Sequence, residues 1–175
     1  VCSLAKTPKN LTKEGDYILS MNNDLKIKKG KEPIFIDGGL AIDDRGELGF
    51  VNGFDMKSIR RFYTVCNHKA QFVRAWHAHR REEKYVTVVN GAAIIAAVCI
   101  DNWETPSKDL YIYRYVLSAQ KPAVLCIPRG FANGFMSLCE NTKVLFFSTA
   151  MLEESQGDDI RYDADYWNPW EVVER

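Results

Sequence analysis

Residues 76–86 read WHAHRREEKYV and hold two of the chain's three histidines, His77 and His79, one residue apart. Imidazole is the side chain that titrates near neutral pH, and it is also the commonest nitrogen ligand of metals. Along a β-strand successive side chains alternate faces. His77 and His79 therefore point the same way, with Arg81 next in line, while Trp76 and Ala78 point the other way. We expect apolar Val73 to side with Trp76, which requires a break in the alternation. If the pair looks into a barrel, both imidazoles share one interior site. With Glu83 the spacing becomes H-x-H-x3-E, three groups of the kind that bind a transition metal. Without a metal, one imidazole can serve as a general base. Two solvated strand residues with no chemistry are the plain alternative.

The surrounding sequence has to supply the strands. From about residue 33 it delivers short β-rich runs separated by turn residues: IFID, ELGFV, SIRRFYTV, QFVRAWHAH, KYVTVV, AAIIAAVCI, LYIYRYVL, AVLCI, FMSL and KVLFFSTA. These runs mix β-branched and aromatic residues, and KVLFFS reads as a nearly buried strand. VVNGAA places Asn-Gly between two apolar runs, a strong signal for a tight hairpin closed by Gly91. About ten strands at this spacing predict an all-β sandwich or barrel. Only the first thirty residues and the tail DDIRYDADYWNPWEVVER depart from the pattern. We expect an N-terminal extension over 1–32, a barrel over 33–152, and a short irregular or helical tail over 153–175 that packs on the barrel or on a partner.

A chain of 175 residues suits one domain, and 46% hydrophobic with 26% charged residues is ordinary for a soluble protein. The formal net charge is zero, so nothing points to nucleic acid, and an anionic ligand would need a local cluster of cations. No apolar run approaches the ~20 residues of a membrane span. The first thirty residues contain no signal-peptide core. Five scattered cysteines without a CxxC read as free thiols, several inside apolar runs, which suits a reducing cytoplasm.

H-x-H-x3-E followed by PRGFANGF (128–135) resembles the two signatures of the cupin superfamily, small antiparallel β-barrels or jelly rolls that often bind metals. Asn133 stands where the last histidine of the second signature belongs, and Asn is a poor transition-metal ligand. ANGF also reads locally as an Asn-Gly turn. A narrower resemblance extends along the chain. IDDRGELGF (42–50), RFY (61–63), VRAWHAH (73–79), EKYV (83–86), IPRGFANGF (127–135), FSTA (147–150) and DDIRYD (158–163) occur in order. Together they resemble the metal-independent cupins that act on nucleotide-linked 4-keto-6-deoxy sugars. One branch comprises dTDP-4-dehydrorhamnose 3,5-epimerases, the other dTDP-4-keto-6-deoxyglucose 3,4-ketoisomerases.

That resemblance implies an isomerase that epimerises C3, with or without C5, of a nucleotide-linked 4-keto-6-deoxyhexose. It implies no cofactor and no metal, no nucleic-acid or membrane partner, and a homodimer. A 3,4-ketoisomerase and a sugar-binding cupin without catalysis are the alternatives. A C4 ketone acidifies the neighbouring C3 and C5 protons, and a neutral imidazole can remove one. The match of RAWH to the family's R-G-x-H gives His77 the role of base, although Ala75 replaces a glycine. His79 becomes its partner or an orienting group. Asp163, or Asp165, would hold the far nitrogen of the base. Lys84 or Arg74 would stabilise the C4 oxyanion. Arg45, Arg61 and Arg74 would bind the diphosphate, and Asn133 would also face the substrate. The epimerase tyrosine is missing, because Met151 and Leu152 follow FSTA. Tyr63 is the candidate substitute acid.

Overall fold

The computed structural model describes residues 32–173, so nearly all of the expected N-terminal extension lies outside the described residues. Twelve strands and one short helix follow: β1 (Ile34–Asp37), β2 (Gly39–Asp43), β3 (Gly46–Phe50), β4 (Arg61–Cys66), β5 (Val73–His79), β6 (Lys84–Asn90), β7 (Ala92–Cys99), β8 (Ile112–Ser118), β9 (Ala123–Ile127), β10 (Phe131–Ser137), β11 (Lys143–Ser148), α1 (Leu152–Gln156) and β12 (Ile160–Arg161). They form two five-stranded antiparallel sheets, ordered β1-β9-β6-β11-β4 and β12-β5-β10-β7-β8. β2 and β3 make a separate two-stranded hairpin. This is the expected all-β jelly roll.

The sheets pack face to face through the inward residues of alternating strands. Val86, Val88, Ile95, Leu125, Val144, Phe135 and Phe146 form that inner core. The second sheet is also covered on its outer face. Trp76, Ile94, Val98 and Ala132 pack there against Trp167 and Trp170 of the tail. The Trp76 ring meets Trp167 edge-on at 5.4 Å, and its indole N–H donates to the Trp167 carbonyl at 3.1 Å. β7 is thus buried on both faces, which explains why AAIIAAVC is continuously apolar rather than alternating. The tail is more than a cover, since its β12 adds to the barrel sheet beside β5.

Two local readings need correction. Asn90-Gly91 is a tight turn, with Gly91 at φ +74°, but it closes no hairpin. β6 pairs with β9 and β11, while β7 pairs with β8 and β10, so the turn carries the chain from one sheet to the other. Asn133-Gly134 is not a turn but the middle of β10. Gly134 is there because of its neighbour: a Cβ would lie 2.4 Å from the Cβ of Ala75 on β5. The register between the two strands shifts at this point, between Asn133 and Phe135. The cysteines differ as well. Cys66, Cys99 and Cys139 are exposed free thiols rather than core residues.

Gly134→Ala is expected to destabilise the fold by about 1–3 kcal/mol through overpacking, read as a lower urea midpoint. Adding Ala75→Gly removes the nearest clashing atom and should recover part of that loss.

Candidate active site

Two polar rows face one another inside the barrel. On the first sheet the register aligns Arg61, Ser148 and Lys84 across β4, β11 and β6. On the second, Arg161, His77 and Asn133 align across β12, β5 and β10. Strand alternation carries Tyr63 to the same inward face as Arg61, where it stacks on Phe146 at 5.2 Å. The loop between β5 and β6 adds Glu82.

His77 is the more open of the two histidines, its side chain 35% exposed. Its Nδ1 lies 3.4 Å from Asp159 Oδ1. Burial moves its pKa below the ordinary 6.5, with Lys84 and Arg161 adding to that and Asp159 opposing it. Asp159 accepts from Arg161 Nε at 2.9 Å, and this bond together with His77 holds its carboxyl low against the upward push of burial. The result is a neutral imidazole whose far nitrogen is oriented by an ionised carboxylate. A general base needs that arrangement.

His79 is enclosed. Its Nε2 lies 2.8 Å from Lys84 Nζ, and its Nδ1 lies 3.2 Å from Glu82 Oε2. Glu82 Oε1 accepts from Ser148 Oγ at 2.7 Å and from Arg61 Nη2 at 3.4 Å. Burial lowers the pKa of Lys84, against the pull of Glu82. Burial and then the charge of Lys84 lower that of His79. Tyr63 is pushed up to about 12, first by burial and then by the Glu82 charge, so its phenol keeps its proton at neutral pH. The guanidinium of Arg61 lies 5.0 Å over its ring.

The sequence-based site therefore assembles in part. His77, His79, Tyr63, Lys84, Arg61 and Asn133 line one interior. Arg74 pairs with Phe135 of the inner core, which puts it on the same face, where its Nε donates to Asn67 Oδ1 at 2.9 Å. The Asn133 amide donates to the His77 backbone carbonyl at 2.9 Å, pinning the strand that carries the base. Asp163 is not the partner of His77, nor is Asp165. Both are exposed, and Asp163 lies beyond the end of β12, where its carbonyl closes a turn on Tyr166. Pairing of Arg161 with His77 brings Asp159 within reach instead. Arg45 is 85% exposed on the β2–β3 turn, ion-paired with Asp43 and away from the two rows. Arg61 is occupied by Glu82 and by the Ala150 carbonyl, 2.9 Å from its Nε.

The metal alternative loses its third ligand. Glu83 points toward Arg129, 3.7 Å away, while Lys84 occupies Nε2 of His79. Among the described residues no three His, Cys, Asp or Glu side chains are grouped as a metal site. Sequence reasoning missed Asp159 and Glu82. The first was hidden by its neighbours in DDIRYD. The second was overshadowed by Glu83, the next residue, which fits the H-x-H-x3-E spacing.

The profile of the dTDP-4-dehydrorhamnose 3,5-epimerase family matches residues 50–173. The chain belongs to that family. Family membership makes it one of the dTDP-sugar isomerases, as the ordered motifs indicated. A search of curated proteins found no match. Solved structures share the fold at low identity. The dTDP-4-dehydrorhamnose 3,5-epimerase of Bacillus anthracis, bound to TDP and PPi, is 22% identical with a TM-score of 0.65, over 82% of this chain and 87% of that one. A Legionella pneumophila epimerase in complex with dTDP-4-keto-L-rhamnose is 18% identical with a TM-score of 0.65, over 85% and 83%. A 3,4-ketoisomerase of Helicobacter canadensis is 18% identical with a TM-score of 0.58, over 78% and 96%. Epimerases and a ketoisomerase are thus both similar in fold to this barrel.

Imidazole resonances followed by NMR should titrate with midpoints below 6.5 for His77 and His79. Asp159→Asn should move the His77 midpoint further down, because it removes the charge that raises it. An upward move would show that Asp159 does not act on this ring.

Proposed function

We propose that the protein epimerises C3, and C5 as well, of a dTDP-linked 4-keto-6-deoxyhexose. The observation that carries this reading is the His77–Asp159 pair in a barrel whose opposite wall presents the buried Lys84 ammonium. His77 Nε2 takes the proton beside the ketone, and Asp159 stabilises the imidazolium that forms. Lys84 stabilises the C4 oxyanion, where a charge in a low-dielectric interior acts most strongly. Tyr63, protonated at neutral pH, returns a proton to the carbon from the other side. Arg74 lies on the same face and is our candidate for the diphosphate. None of these steps calls on a metal or a redox cofactor.

The 3,4-ketoisomerase is the second reading, and the H-A-H pair favours it, because its second histidine could return the proton at C4. Against that, both nitrogens of His79 face other side chains, Lys84 on one edge and Glu82 on the other. Two mobile bases are therefore not on offer, and this supports epimerisation.

The homodimer belongs to the same proposal. The β2–β3 hairpin stands off both sheets and exposes Ile42 at 73% and Leu48 at 62%, a surface suited to a second copy. Light scattering at about twice the 20.0 kDa chain mass checks it. A cytoplasmic site of action fits the exposed free thiols of Cys66, Cys99 and Cys139. No helix among the described residues is long and apolar enough to cross a membrane.

Incubation with dTDP-4-keto-6-deoxyglucose should give a product whose proton couplings show inverted C3 and C5. A carbonyl at C3 would instead establish the ketoisomerase. His77→Asn should cut kcat by about 10²–10⁴, the contribution of a positioned base, while dTDP binding measured by calorimetry stays near wild type. Retained turnover would remove His77 from the role of base.

A further inference from the structure

We propose that Glu82 is a positioning residue that fixes the tautomer of His79 and thereby holds the Lys84 ammonium aimed into the barrel. The inference rests on the isomerase reading of the site but concerns a carboxylate to which that reading gives no part. Glu82, His79 and Lys84 are 4%, 3% and 7% exposed, so three ionisable groups lie buried in a line. Isolated burial of any one would be costly.

Hydrogen-bond direction along the line follows from the chemistry of its ends. An ammonium has three donors and no acceptor, so at 2.8 Å His79 Nε2 accepts from Lys84. A neutral imidazole that accepts at Nε2 carries its proton on Nδ1. Glu82 sets its Oε2 3.2 Å from that nitrogen, an ion-pair distance without hydrogen-bond alignment. Both atoms are buried with no hydrogen-bond partner among the described residues, so the carboxylate acts on the ring through its charge. The opposite tautomer would set an N–H against the ammonium and a bare nitrogen against the carboxylate. Glu82 is itself held by Ser148 and Arg61, both donating into its other oxygen. On its far side Glu82 borders a surface cavity with Arg81, Thr149, Ala150, Glu154 and Asp158, while its side chain itself stays buried.

Charge and titration around Lys84 come from several elements: His77 and His79 on β5, Glu82 in the following loop, Arg61 with Tyr63 on β4, and Asp159 with Arg161 at β12. Glu82 is the anion that acts through a shared imidazole. In Glu82→Gln the amide carbonyl takes the oxygen position that Arg61 and Ser148 donate into. The NH2 group then falls opposite His79 Nδ1 and selects the Nε2–H tautomer. That change turns an acceptor for Lys84 into a competing donor and removes a negative charge. Both lower the Lys84 pKa, which burial already depresses.

Long-range 15N spectra of the wild-type protein should show His79 protonated on Nδ1 and bare at Nε2. Glu82→Gln should reverse that pattern. It should also shift the alkaline limb of the kcat–pH profile down by about one unit or more and lower kcat on the order of tenfold to a hundredfold, with KM near wild type. Glu82→Asp keeps the charge and should retain the Nδ1–H tautomer and the wild-type alkaline limb. A wild-type Nε2–H tautomer, or an alkaline limb unmoved in Glu82→Gln, would overturn the proposal. If the wild-type protein turns nothing over, the isomerase reading fails, while the spectra of wild type and Glu82→Gln compared still decide whether Glu82 sets the tautomer.

Discussion

A lysine ammonium inside a β-barrel has to be compensated on every side, and much of this interior is organised around that need. Lys84 is placed inward by the alternation of β6, opposite Ser148, with Arg61 one strand further along the same row. It would lose its proton to burial if His79 did not accept from it and Glu82 did not supply charge behind His79. Glu82 in turn stays in position because Ser148 and Arg61 donate to it. Loss of any link leaves a buried charge or polar atom without a partner, which is why the residues act as a unit.

The other half of the chemistry depends on the tail. His77 sits on a strand whose outer neighbours, Trp76 and Ala78, are covered by Trp167 and Trp170. That aromatic packing docks the C-terminal segment, and docking allows β12 to pair with β5. Only then does Asp159 reach the imidazole. The outer core and the inner site are thus two faces of one strand, with apolar packing on one side positioning a base on the other. The close approach of Gly134 to Ala75 keeps β10 tight against that strand, and Asn133 ties its backbone at His77.

Much of this was legible in the sequence for physical reasons. The period-two alternation of WHAH separated a histidine face from a tryptophan face, and the structure keeps that separation. The run of short strands fixed the class, and the ordered motifs identified the family. What stayed hidden involves residues distant in sequence. Nothing local in DDIRYD distinguishes Asp159 from Asp163, because the choice is made by a two-residue strand pairing across more than eighty positions. Asn-Gly signals a turn wherever it occurs, yet at 133–134 the lack of a Cβ serves strand packing and at 90–91 the turn joins two sheets. Glu82 and Glu83 look alike in RREEK. One is buried in the site and the other reaches an exposed arginine, a difference set by where β6 begins.

Proton NMR of dTDP-4-keto-6-deoxyglucose held with the protein in D2O tests the central claim most directly, since it reports abstraction beside the ketone whatever product follows. Deuterium should enter at C3, and at C5, in the presence of the wild-type chain. Failure to exchange at either carbon, in this substrate and in its GDP-, CDP- and UDP-linked analogues, would contradict the assignment of the barrel interior as a proton-transfer site.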